Sequence, residues 1–390
     1  MSIRNASSSP STPIAVSGVF LRPGRVGGAE FMLYGLVEGL LQLGESVTLF
    51  YPEGETLDPF FAGRTREACS TGALACRTLR VRGNRFVAET TQLMRRSREL
   101  QARELILPNY YTPPFRGHLK TLTAILDLQY LHYPQFFSPQ KRLWLRAAHE
   151  FTLRRADRVS VISDFVRGDL LERYGTRYES RVRTIPIGIS WDRFATPRKP
   201  EALSGRAAPF ILSVASHYSH KNLATLIRAY ARLASVLPHD LVLVGQRRAN
   251  LIGVRDGSIV DLETLSASLG VANRVVMTGH ASDEVVGWCY RNADLFVFPS
   301  LFEGFGMPAV EALGFGLPVV TTRCGSLPEV TRGLATLVER PEDVEELAST
   351  ITSTLKRGAL SRPSANDVES LRSYYDPARV ARLYLEALRN

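Results

Sequence analysis

Residues 298–318 read Phe298-Pro-Ser-Leu-Phe-Glu303-Gly304-Phe305-Gly306-Met307-Pro308-Ala-Val-Glu311-Ala-Leu-Gly-Phe-Gly-Leu-Pro318. The apolar run leading into this stretch predicts a strand and the glycines a tight loop. Pro308 marks a helix start, where a missing N–H costs nothing. A helix that opens just past a strand's carboxyl end turns its unpaired amides toward whatever lies beyond the sheet. Glu303 stands in the loop and Glu311 in the expected first turn of the helix. A carboxylate there is poorly suited to phosphate, which the helix dipole already attracts, and better suited to accept hydrogen bonds from sugar hydroxyls. The plainer alternative is a capping carboxylate beside a packing glycine. Gly304-Phe-Gly306-Met-Pro-Ala309 also spells a dinucleotide fingerprint. The next strand, Val319-Val-Thr-Thr-Arg323, brings no acid for a ribose, and the motif lies late in its array, so a nicotinamide or flavin site is set aside.

Outward from this stretch, apolar runs alternate with amphipathic helical segments. The first half predicts strands at 15–19, 47–50, 105–107, 123–126, 159–162 and 182–185. The second predicts them at 210–214, 241–244, 275–278, 295–298, 318–321 and 335–338. Short, continuous apolar runs bounded by helices are the mark of buried parallel strands. Two successive arrays imply an α/β chain of two doubly wound, Rossmann-like domains. A Ser- and Pro-rich start, 1–13, reads as a disordered leader. The N-terminal domain is expected over 14–197, a Pro-, Gly- and charge-rich linker over 198–209, and the second domain over 210–373. A final helix, 374–390, is opened by Asp376 as cap and Pro377 in the first position.

The 390 residues are 45% apolar and 22% charged, ordinary for a soluble globular protein, and no run of 18 apolar residues suggests a membrane span. Cys69, Cys76, Cys289 and Cys324 match no zinc or redox spacing and read as free thiols of a reducing cytosol. The net charge of +10 is uneven: the first 200 residues hold 29 Lys and Arg against 18 Asp and Glu, and the rest 19 against 20. Such an excess suits anionic lipid head groups or a phosphorylated acceptor, or is simply a solvated face. No nucleic-acid-binding signature accompanies it, so nucleic acid is set aside.

Three further motifs carry chemistry. Gly27-Gly28 lies between the first strand and a helix with Leu33, Leu36, Val37 and Leu40 on one face; adjacent glycines there offer amides to an anion, or merely make a tight turn. Ser219-His220-Lys221-Asn222 follows the first strand of the second array, so Lys221 stands where such folds bind ligands and its ammonium suits a diphosphate. Taken alone, a surface lysine is the plainer reading. Asp127, just past a strand, begins a polar and aromatic segment reaching His132 and Pro134, which suits sugar hydroxyls and ring faces. His132 reads equally well as a satisfied loop histidine.

Taken in order, these motifs resemble the family-four retaining glycosyltransferases of the GT-B fold, over residues 14–388. The match rests on Glu303 and Glu311, with seven residues between them, in their glycine-rich setting, with Gly316-Leu-Pro318 and Gly325-Ser-Leu-Pro-Glu329 following. Gly27-Gly28, Asn109-Tyr110-Tyr-Thr-Pro-Pro114, Asp127-Leu-Gln, Ile185-Pro-Ile-Gly188 and His220-Lys221-Asn222 complete it. The resemblance implies two domains facing a central cleft, with Glu303, Lys221 and Asp127 in catalysis. It implies Gly27, Gly28, His220, Gly279, Gly304, Phe305, Gly306, Met307 and Glu311 around the donor: amides on the sugar and diphosphate, Glu311 on the ribose, Lys221 on the leaving diphosphate, and Gly279 near the base. Two departures stand out. Leu126 occupies a position where the family commonly has His, leaving Asp127 or His132 to take over. Ser216 and His220 stand where a second phosphate cation is usual, leaving Arg22 or Arg25 to supply it. Tyr110, His132, Arg22 and Arg25 are the acceptor-side candidates.

The resulting expectation is transfer of a hexose or deoxyhexose, first mannose from GDP-mannose, to a glycan or lipid-linked acceptor in bacterial polysaccharide or lipopolysaccharide assembly. Lys221, glycine amides and a helix N-terminus stand in for a divalent ion, so no metal or cofactor is expected. A cytoplasmic enzyme is expected, with its basic first domain against the anionic inner membrane. The competing readings are a nucleotide-sugar-binding protein without catalysis, suggested by Leu126, and a GT-B sugar-nucleotide epimerase.

Overall fold

The computed structural model describes residues 12–22, 27–81, 83–246, 251–252 and 259–390. The chain forms two compact units, Met1–Ile189 with Tyr375–Asn390, and Ser190–Tyr374. Most of the expected leader lies outside the described residues.

The first unit is built on seven parallel strands: β1 (Ile14–Ser17), β2 (Val47–Pro52), β3 (Leu74–Leu79), β4 (Glu104–Leu107), β5 (Lys120–Ile125), β6 (Arg158–Val161) and β7 (Val182–Thr184). Their order, β3-β2-β1-β4-β5-β6-β7, reverses direction between β1 and β4. Strand β3 falls outside the pattern expected from the sequence. Its residues LACRTL are half-exposed or exposed at the four central positions, as befits a sheet edge, so no continuous apolar run marks it. The first helix, α1 (Gly28–Gln42), and the last, which we number α2 (Pro377–Arg389) because it packs on α1, share a core of Leu33, Leu36, Val37, Leu40, Val380, Tyr384 and Leu388. Their close approach requires glycine. A Cβ on Gly39 would lie 2.0 Å from the Pro377 carbonyl oxygen, and one on Gly35 would lie 2.6 Å from that of Gly188. Asp376 caps α2 by accepting from the Arg379 amide at 3.0 Å, and Arg389 ties its far end to Glu45 and Glu104.

The second unit carries β8 (Phe210–Val214), β9 (Asp240–Val244), a two-residue antiparallel pair β10 (Leu251–Ile252) and β11 (Ile259–Val260), then β12 (Val275–Gly279), β13 (Leu295–Phe298), β14 (Val319–Thr322) and β15 (Thr336–Val338). Its six-stranded parallel sheet runs β12-β9-β8-β13-β14-β15 and reverses between β8 and β13. In open α/β sheets that reversal leaves a crevice beyond the strands' carboxyl ends.

The division between units corrects the expected linker at 198–209. The chain changes unit at Ile189–Ser190, and 198–209 is bound onto the second unit. Arg198 donates its amide to the Glu284 carbonyl at 3.0 Å, Lys199 lies over the Trp288 ring, Leu203 is buried, and Arg206 pairs with Asp240 at 2.8 Å. The charges that suggested a linker meet partners on the helix Asp283–Asn292 and at the start of β9. Upstream, Phe194 is fully buried against Tyr290 and Phe315.

Candidate active site

Two segments meet at the β8/β13 reversal. One leaves β8 and carries Lys221; the other leaves β13 and carries Glu303. Two hydrogen bonds join them: the Leu301 amide donates to the His220 carbonyl at 2.7 Å, and the Asn222 side-chain amide donates to the Pro299 carbonyl at 3.1 Å. Asn222 adopts a left-handed conformation (φ 57°), so the chain turns sharply just after Lys221. With both neighbours fastened to the β13 exit, Lys221 has little choice of direction. Its Nζ donates to Glu303 Oε1 at 2.6 Å and sits 5.3 Å from the centre of the Phe298 ring. The pair is 17% and 11% exposed, so its mutual attraction is only partly screened.

A third segment fixes Glu303 from behind. The Ser326 amide and hydroxyl donate to the Glu303 carbonyl at 3.1 and 3.2 Å, and the hydroxyl reaches the Phe305 carbonyl at 2.9 Å. Gly325 makes this approach possible: a Cβ there would lie 2.4 Å from the Glu303 carbonyl oxygen. Gly304, Phe305, Gly306 and Met307 are all buried beside it. Gly306 is the N-cap of the helix Met307–Gly314, with φ 92°, and no side chain caps that helix. The first amides of an uncapped helix are suited to an anion.

Because this helix starts at Met307, Glu311 is its fifth residue and lies past the expected first turn. Its buried carboxylate accepts from Arg193 and from the Tyr290 hydroxyl at 2.9 Å. Neither partner was foreseen. The available signal was Arg193 itself, an arginine between the aromatic residues Trp191 and Phe194, which burial would oblige to find an acid.

His220 stacks on Tyr218 beside Lys221; loss of hydration and the adjacent ammonium push its imidazole down to about 3, keeping it neutral. Gly279 ends β12 with φ 76°, and its carbonyl accepts from Gly245 at 2.9 Å.

The remaining candidates belong to the first unit. Gly27 is the N-cap of α1, with φ 70° and open space where a Cβ would stand; Gly28 follows it, exposed. Arg22 is engaged by Glu55 at 3.3 Å and by the Leu21 carbonyl, which commits charge that was expected to serve a phosphate. Arg25 lies outside the described residues. Asp127 is exposed just past β5 and accepts from the Gln129 amide at 2.9 Å. His132 ends the short helix Gln129–His132, and its Nε2 lies 2.7 Å from Asp169 Oδ2. Tyr110 is half-buried, accepts from Arg85 at 3.0 Å, and meets the Trp144 and His149 rings edge-on. Leu126 is half-buried at the end of β5. Among the described residues, no three His, Cys, Asp or Glu side chains gather as metal ligands, and no helix is long and apolar enough to cross a membrane.

Comparison with known proteins finds the family model described as Glycosyltransferase Family 4 over residues 26–193 and that described as Glycosyl transferases group 1 over 198–368. The two follow one another along most of the chain. The chain belongs to glycosyltransferase family 4. This family-four chain is 28% identical over 278 residues to mannosylfructose-phosphate synthase of Agrobacterium fabrum, a match covering 68% of the chain and 61% of that relative. It is 27% identical to O-antigen chain mannosyltransferase B of Escherichia coli, covering 64% of each. The matches thus span less than two thirds of the length of these curated relatives. Among solved structures, sucrose-phosphate synthase from Thermosynechococcus elongatus resembles it with a TM-score of 0.72 at 21% identity, covering 97% of this chain and 98% of the other. Anabaena HepE in complex with UDP-glucose does so with a TM-score of 0.72 at 20% identity, covering 97% and 99%. At these identities the likeness establishes the fold of the family-four chain as GT-B.

Proposed function

We propose that this chain transfers a hexose or deoxyhexose from a nucleotide-sugar to a glycan or lipid-linked acceptor in bacterial polysaccharide or lipopolysaccharide assembly, with retention at the anomeric carbon and without a metal ion. The observation that carries this reading is the Lys221–Glu303 pair at the β8/β13 reversal, 2.6 Å apart beside an uncapped helix N-terminus. Breaking a glycosyl–phosphate bond builds negative charge on the departing diphosphate. Lys221 and the amides of Gly304 to Met307 answer that charge in a setting that needs little reorganisation. In the free chain Glu303 neutralises Lys221; with donor bound, the ammonium turns to the diphosphate and the carboxylate accepts from sugar hydroxyls. Glu311, oriented by Arg193 and Tyr290, offers its remaining lone pairs to the ribose.

In the step itself the bond from the anomeric carbon to the phosphate oxygen breaks. The acceptor hydroxyl oxygen bonds to the same face, and its proton passes to the departing phosphate oxygen. Mannose from GDP-mannose is the first candidate, supported by relatives whose names include O-antigen chain mannosyltransferase B and mannosylfructose-phosphate synthase. A neighbour in complex with UDP-glucose keeps UDP-sugars next in line. The test is product formation from a panel of nucleotide-sugars in excess EDTA, read by mass spectrometry and by NMR of the new linkage. Retained transfer with an unchanged anomeric configuration supports the proposal. Activity lost to EDTA and restored by magnesium removes the metal-independent mechanism. Saturable donor binding without transfer to any acceptor favours the non-catalytic binder that Leu126 suggests.

A further inference from the structure

At the edge of the first unit's sheet the chain brings two cysteines together. Edge strand β3 sets Cys76 opposite Leu49 of β2. Side chains alternate along a strand, so Cys76 shares a face with Leu74, which is buried in the core of α1 and α2; half-buried Cys76 packs against that same core. Cys69 comes from the helix Arg66–Ser70, one residue before its end, and its neighbour Ala68 also packs there. Gly72, with φ 79°, turns the chain back toward the sheet: its amide donates to the Cys69 carbonyl at 3.3 Å, and β3 starts two residues on. This return leaves six residues between the cysteines and brings their side chains within a hydrogen bond of each other. The Tyr51 hydroxyl, on β2, feels both thiols, as it would only if they shared one neighbourhood.

All four cysteines are free thiols, and of these Cys69 is exposed. Burial, and then the neighbouring Cys69, push the Cys76 thiol up to about 12, so Cys76 holds its proton while Cys69 meets solvent. The helix that carries Cys69 has five residues, none of them buried, so its hold on the sheet is weak. Two adjoining thiols, one open to solvent, are suited to exchange with a small disulfide. We propose that Cys69 and Cys76 form a reversible disulfide that pins the helix Arg66–Ser70 to the sheet edge. The oxidant is a low-molecular-weight disulfide, of which glutathione disulfide is the probe. Cys69 releases its proton and its sulfur bonds to one glutathione sulfur; the S–S bond of the reagent breaks, and the other half leaves and takes up a proton. Cys76 then gives up its proton, its sulfur bonds to Cys69 Sγ, and the second glutathione leaves as a thiol. The two protein thiols are oxidised and the reagent is reduced to two thiols. No part of this step depends on the transferase reading.

The test uses the full reduced chain, treated with glutathione disulfide, then denatured, alkylated and digested with trypsin. Cleavage after Arg66 and Arg77 releases both cysteines on one peptide, Glu67–Arg77. In the wild type that peptide should be lighter by two hydrogens and carry no alkyl group, while Cys289 and Cys324 are alkylated; dithiothreitol should return both thiols. Cys76→Ser should stop at the first step, with one glutathionyl group held on Cys69. Hydrogen exchange across residues 66–72 should slow in the oxidised wild type and stay unchanged in Cys69→Ser given the same treatment. A wild-type peptide that carries two alkyl groups, or a glutathionyl group that never gives way to the closed form, would overturn the disulfide. A closed peptide with exchange across 66–72 unaltered would overturn the pinning. The first measurement needs no variant, so a substitution that fails to fold leaves it decisive.

Discussion

Lys221 and Glu303 hold opposite charges 2.6 Å apart in a site that excludes most water. Neither residue could be replaced without leaving the other uncompensated. Lys221→Ala is expected to lower transfer by ~10²–10³, the usual cost of removing one electrostatic donor. Steady-state rates on the folded variant check this, and normal turnover would remove Lys221 from the mechanism. Glu89 provides a second residue-level prediction, with the sign set by its titration. Its carboxyl is raised from 4.5 to about 7 in the folded chain, so the folded state binds the proton more tightly. Stability is therefore lost as pH rises between those values, and the full penalty, roughly 3 kcal/mol, remains above pH 7. Glu89→Gln lacks the titration. Its stability relative to the wild type should rise from about pH 4.5 to 7 and then level off, measured by denaturant melts. A difference independent of pH would contradict the burial argument.

At the scale of elements, legibility followed burial. Buried strands such as β8, apolar but for Ser213, and β13, apolar throughout, are marked by the sequence with the bounds observed. Edge strand β3 shares its exposed face with solvent and so carries polar residues that hide it. The segment 198–209 looked like a linker because it is charged and proline-rich, yet its cations meet Glu284, Trp288 and Asp240. Partners that arrive from 34 to 89 residues away leave no local trace. The same limit applies to Glu311: its helix was readable, but Arg193, 118 residues earlier, was not. The α1–α2 contact yields a direct prediction. Gly39→Ala gains about 1 kcal/mol of helix propensity. That is outweighed, because the added methyl would sit 2.0 Å from the Pro377 carbonyl and overpacking costs ~1–3 kcal/mol or more. A lower urea midpoint is expected, and an unchanged or higher one would show that α2 shifts freely.

Over the whole molecule, charge and apolar exposure coincide in the first unit. Val87, Leu143 and Trp144 are exposed, with Trp144 packed 4.5 Å from Phe86, and Arg85, Lys141 and Arg142 stand among them in sequence. Such a surface suits a peripheral contact with anionic lipid. Cosedimentation should increase from neutral to anionic vesicles and fall with salt; equal binding to both would oppose it. In the second unit, a nucleotide-sugar is expected to seat its diphosphate on Lys221 and the helix N-terminus beside Glu303. The most direct measurement is a thermal-shift titration of wild type and Lys221→Ala with GDP-mannose, UDP-glucose and a dTDP-sugar. A saturable rise is expected in the wild type with at least one donor, shifted to much higher concentration in Lys221→Ala. No rise with any nucleotide-sugar, or the same titration curve in both proteins, would contradict it.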